Sequence, residues 1–156
     1  MLFARYMCVL TLGAVAVSAQ VPTVPVTVQT TGMIGVADGQ TARLNLLNPG
    51  VLAPAMGMIC TANVAFVGDD GTFLKTTTLS VIPGRSLSFD IRSDTDLSIA
   101  AGDRREIRAV IMMPPAATPS STGSAAPACK LIPTLEIFDT VSGRTLVTLG
   151  HVELVP

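Results

Sequence analysis

Cys60 and Cys129 come first among the residues able to do chemistry, because a thiol pair can close a disulfide, hold a soft metal or pass electrons. A redox pair or metal-thiolate site calls for a C-x-x-C spacing or several histidines, and the chain has no C-x-x-C and one histidine. The spacing suits a structural bridge instead. Closing a loop of nearly seventy residues stabilises a fold by about 4 kcal/mol in the chain-entropy picture.

Methionine is the second candidate. Met56 and Met58 stand just ahead of Cys60, and Met112 and Met113 are adjacent. Thioethers gathered in an oxidising compartment bind Cu(I), so these four are the ligands a periplasmic copper carrier would use. Against that stands ordinary packing, since methionine fills gaps in a core with few large aromatics. Asp94, Asp96 and Asp103 crowd one polar stretch and invite a calcium reading. The bidentate Glu and the glycine of a calcium loop are missing, and Arg104 and Arg105 would oppose a cation, so a solvated turn is expected. His151 is alone near the C-terminus, sharing strand parity with Val147, Leu149 and Glu153. With no G-x-S-x-G, no H-E-x-x-H and no phosphate-cradling loop, no catalytic residue can be nominated and the chain reads as a non-enzyme.

These residues need a compartment and a scaffold. Arg5, the apolar run from Met7 to Val17 and the small residues Val17-Ser18-Ala19 have the charge, core and cleavage pattern of a secretory signal peptide, with cleavage expected near Ala19-Gln20. The run falls short of the roughly 20 residues that span a bilayer. Cys8 would leave with that segment, isolating Cys60 and Cys129 in an oxidising periplasmic or extracellular space. Removing nineteen of the 156 residues leaves 137, a length for one domain over residues 20–156. Nine Lys and Arg would then face eleven Asp and Glu, a balance that excludes nucleic acid as partner. Gly, Pro or charge interrupts every later apolar run, so no membrane span is expected in the mature chain.

From Val24 onward the chain alternates short runs of Val, Ile, Leu, Thr and Phe with turns of Gly, Asp, Asn or Pro. Nine strands are expected: 26–30, 33–37, 41–47, 58–67, 73–81, 86–92, 106–112, 130–139 and 144–154, the first two forming one bent strand. Period-two alternation points Ala42, Leu44 and Leu46 inward, and likewise Leu87, Phe89 and Ile91. Cys60 shares parity with Ala62, Val64 and Phe66, and Cys129 with Leu131, Leu135 and Ile137, so both cysteines belong to core-facing sets. Asp69-Asp70-Gly71, Val141-Ser142-Gly143 and Ala37-Asp38-Gly39-Gln40 read as hairpin turns. Pro83-Gly84 and Asn48-Pro49-Gly50 punctuate other strands. Residues 114–128, rich in Pro, Ala, Ser and Thr, read as a flexible loop beside the bridge, and 50–57 as an apolar connection across one end. The expectation is an all-β, antiparallel two-sheet β-sandwich of about seven to nine strands with one inter-sheet disulfide.

The stretches GVADGQTARLNLLNPG, CTANVAFVGDDGTFLKTTTLSVIPGRSLSFDI, the strand from Arg104 to Ile111 and CKLIPTLEIFDTVSGRT together resemble uncharacterised exported bacterial domains with an immunoglobulin-like sandwich plan. That resemblance implies a fold and an export route and no activity, because sandwiches host many functions. Exposed Trp and Tyr, the usual anchors of sugar faces, are lacking once Tyr6 is removed. The expected role is a structural or protein-binding module that meets another envelope or extracellular protein through a loop end or an edge strand.

Overall fold

The computed structural model describes residues 26–50, 58–114, 129–150 and 152–155. Strands β1 (Thr27–Thr31), β2 (Ile34–Ala37), β3 (Gln40–Leu47), β4 (Cys60–Gly68), β5 (Phe73–Val81), β6 (Ser86–Arg92), β7 (Arg104–Met113), β8 (Ile132–Asp139), β9 (Thr145–Leu149) and β10 (Val152–Val155) follow one another, with no helix among the described residues. They form two antiparallel sheets. The larger runs β10-β1-β7-β4-β5, with β2 also paired to β7, and the smaller runs β6-β3-β8-β9.

Alternation decides which side chains lie between the layers. Leu44 and Leu46 of β3, Val64 and Phe66 of β4, Ile107 and Ile111 of β7, and Leu135 and Ile137 of β8 are buried in one cluster. Each side chain of this kind contributes about 1.5–3 kcal/mol when removed from water. Phe66 stacks on Phe89 of β6 with ring centroids 5.2 Å apart, an aromatic contact that joins the two sheets. Leu87, of inward parity, is nonetheless 41% exposed. It stands near the start of an edge strand, which among the described residues has a neighbour on one side only.

The strands β1 and β2 behave as one bent strand along β7. Thr30 pairs with Val110 and Ile34 with Ile107, so three residues, 31–33, face two, 108 and 109, across a bulge. Two hydroxyls repair the broken ladder there. Ala109 N–H donates to Thr31 Oγ1 at 2.9 Å, and Thr30 Oγ1 donates to the Ala109 carbonyl at 3.3 Å.

The turns divide into two kinds. Asp70 closes the β4–β5 hairpin by accepting from the Thr72 N–H and hydroxyl at 2.9 and 2.8 Å. Asp139 closes the β8–β9 hairpin by accepting from the Ser142 N–H and hydroxyl at 2.6 and 2.7 Å. These hydrogen bonds hold both carboxyls below the ordinary aspartate value. The turn at 37–40 differs from the expected hairpin, because β2 lies in the larger sheet and β3 in the smaller. It is a corner between layers. The expected last strand also divides, β9 closing the smaller sheet and β10 pairing with β1 in the larger.

Candidate functional site

The disulfide partners are brought together as the parity of their neighbours implied. Cys60 opens β4 in the larger sheet, Cys129 lies three residues before β8 in the smaller, and their Cα atoms are 5.6 Å apart in disulfide pairing. Beside them, Asn48 ties the layers with its buried amide. Its Nδ2 donates to the carbonyls of Met58 and Val81, each at 2.9 Å, and its Oδ1 accepts from Gly50 N–H at 3.1 Å. Its backbone pairs with the turn before β6: Asn48 N–H donates to Arg85 and Gly84 N–H donates to Asn48. Gly50 sits so close to that turn that a Cβ would meet Gly84 N at 2.4 Å, and its φ is +48°. A side chain there is excluded twice, by contact and by backbone conformation.

Three of the four methionines lie among the described residues. Met113 is buried in the core, whereas Met112 has the opposite parity on β7 and lines a groove on the outer face of the larger sheet. Met58 is exposed ahead of β4, and Met56 lies outside the described residues. Of the three acids, Asp96 is engaged internally. It accepts from Lys75 Nζ and from Arg92 N–H, both at 2.8 Å. Burial pushes its carboxyl up, but those hydrogen bonds and the charges of Lys75 and Arg92 outweigh it and hold the carboxyl low. Asp94 accepts from Thr95 N–H at 2.7 Å. Among the described residues no three of His, Cys, Asp and Glu gather as a metal-binding group. His151, the segment 1–19 and most of 114–128 lie outside the described residues.

What remains is a surface defined by backbone. The larger sheet ends in β5, and nothing pairs with its free side among the described residues. Its first half is guarded. Lys75 pairs with Phe66 and Phe73 with Val67, so Leu74 is an extra residue that bulges the strand. Lys75 then folds over the sandwich rim to Asp96, with Nζ 5.9 Å from the centre of the Phe89 ring. Charge and a bulge are the usual devices that stop an edge from pairing.

The second half of β5 carries neither device. From Thr76 to Val81 the register with β4 is unbroken over six residues, Thr76↔Ala65 through Val81↔Cys60, and none of the six is charged. Thr76, Thr78 and Ser80 are exposed on the outer face. The Thr78 hydroxyl donates to Asn63 Oδ1 at 2.7 Å, and Thr61 and Ser80 share a hydrogen bond of 3.0 Å. Beside them lies an open groove of about 300 Å3, lined by Asn63, Val64, Thr76, Thr77, Thr78 and Met112. No lining residue is an acid, a base or a cysteine, so the groove offers shape and hydroxyls and no proton to move.

Strand alternation predicts edge strands without showing which strand is one. The legible signal was the run Thr76-Thr77-Thr78, where the apolar alternation of a half-buried strand lapses. The Asn48 junction was missed, because a strand-ending Asn-Pro-Gly reads the same whether its amide faces water or the core. Among the described residues no helix is long and apolar enough to cross a membrane. No protein-family model, no curated protein and no solved structure matches this chain.

Proposed function

We propose that this chain is a non-catalytic, exported module of immunoglobulin-like plan that binds another envelope or extracellular protein by strand addition to β5. The observation that carries the reading is the free edge from Thr76 to Ser80, straight, uncharged and in unbroken register with β4. An extended peptide laid along such an edge gains main-chain hydrogen bonds from backbone groups already held in place. Specificity then comes from alternate side chains, which would lie next to Thr76, Thr78 and Ser80 on one face and next to Thr77 and Leu79 on the other. Export is supported by the charge, core and cleavage pattern of residues 1–19 and by the pairing of Cys60 with Cys129.

Successive N–H groups of a strand point to opposite edges. One of the two variants Thr77→Pro and Thr78→Pro therefore removes an outward donor and leaves the β4 ladder whole, while the other breaks that ladder. The experiment captures envelope proteins with the immobilised chain and with each variant that retains native circular dichroism. Loss of a specific partner in the folded variant, with retention in Ser88→Lys on β6, is the expected result. Equal capture by all three chains would overturn the reading.

A further inference from the structure

We infer that the segment the β5 edge takes is the β5 edge of a second copy of this chain, in a two-fold antiparallel pair centred on Thr78. The inference rests on the strand-addition reading above and names its partner. Antiparallel pairing around a two-fold axis is isologous, so every residue must tolerate its symmetry mate. With Thr78 on the axis, Thr78 meets Thr78, Thr77 meets Leu79 and Thr76 meets Ser80. The outer row is then hydroxyl against hydroxyl, a cross-strand combination that favours pairing, and no like charges oppose each other. Lys75, the one charge on the strand, falls opposite Val81.

The ends of the strand supply a second, independent argument. Phe73 at the start of β5 is 60% exposed, and Ile82 just past its end is 49% exposed. Both ends of this edge strand therefore present a large apolar side chain to water. Two-fold pairing reverses one copy against the other, so Phe73 of each copy comes beside the Ile82 end of its mate and both apolar ends are covered, twice over. The same geometry joins the two larger sheets into one continuous sheet across the axis. The contact is confined to one strand from each copy and so belongs with small interfaces, which gives a concentration-dependent dimer instead of an obligate one.

The test uses the whole secreted chain with its native cysteine pair intact. Sedimentation of the wild type over about a hundredfold concentration range should carry the mass from one copy toward two. Thr78→Cys places one new thiol on the axis, and mild oxidation should give a covalent dimer on a non-reducing gel, whereas Ser88→Cys on β6 should stay monomeric. Phe73→Ser should shift the dimerisation midpoint to at least tenfold higher concentration with circular dichroism unchanged. A chain that sediments as one copy throughout, with Thr78→Cys no more crosslinked than Ser88→Cys, overturns self-pairing. If the β5 proline variant still loses an envelope partner in that case, strand addition stands and only the identity of the partner falls; if it does not, both fall.

Discussion

Two edge strands lie at one side of this sandwich, consecutive in the chain, and they are finished in opposite ways. In β6, Asp90 forms a two-pronged ion pair with Arg43 at 2.8 and 2.7 Å, and Ser88 donates to Asn45 at 2.7 Å. Asn45 in turn donates to Glu136 at 3.1 Å, and the Arg43 guanidinium rests 4.8 Å from the centre of the Phe138 ring. The outer face next to β6 is thus a polar lattice closed on itself, and the strand also carries Arg92. In β5 the protection stops at Lys75, and Thr76 to Ser80 present an uncharged, regular backbone. Charge guards an edge against unintended pairing. In β6 charge falls at Asp90 and Arg92, whereas in β5 it falls only at Lys75, which leaves the segment from Thr76 to Ser80 as a place where another strand can dock.

The strongest intervention treats both edges alike. Replacing Cys60 and Cys129 with serine opens the bond between the start of β4 and the approach to β8, and should cost about 4 kcal/mol of stability, measured by urea unfolding. Edge binding should persist below the lowered midpoint, because neither cysteine belongs to the pairing segment. Asn48→Ala comes next, since Asn48 joins the end of β5 to the turn before β6. It strands the Val81 and Met58 carbonyls and should cost about 2–3 kcal/mol by the same measurement.

Smaller effects separate the two strands. Asp90→Ala removes the acidic half of the guard on β6 and, for a half-exposed ion pair, should cost about 0.5–1 kcal/mol. Its larger signature is new association through β6, read by light scattering, which would bring that edge closer to the behaviour of β5. Smallest is the acid response of the Lys75–Asp96 pair that guards the first half of β5. Asp96 is held below its ordinary value in the fold, so its stabilisation is full above the unfolded carboxyl pKa of about 3.9 and fades as pH falls through the lower folded value. Asp96→Asn should therefore flatten the stability profile below about pH 4 and leave it unchanged in shape near neutrality.

Much of the scaffold was legible because it is written in local pattern. Parity placed Cys60 with Ala62, Val64 and Phe66, and all four are buried. Asp70-Gly71 and Ser142-Gly143 mark true hairpins, with positive φ at both glycines. What escaped the sequence depends on which sheet receives the next strand. Asp38-Gly39 looks like the other two turns, yet it carries the chain from one layer to the other, a choice set by what β2 and β3 find to pair with. The same holds for β5: nine residues from Phe73 to Val81 announce a strand, but whether the side away from β4 is paired or bare depends on where strands distant in the chain, such as β7, take their places in the sheet. Ala65 and Val67 make the complementary point. They sit on the outer face of β4 and are still buried, because a central strand is walled by neighbours on both sides.

Amide hydrogen exchange along β5 tests the central claim most directly, with the dilute chain compared to the chain in its bound or concentrated state. In the dilute chain, alternate amides between Thr76 and Ser80 should exchange fast while those bonded to β4 stay protected, and pairing should slow the fast set. Uniform protection of Thr76–Ser80 in the dilute chain, or an unchanged fast set when the partner is bound, would contradict it.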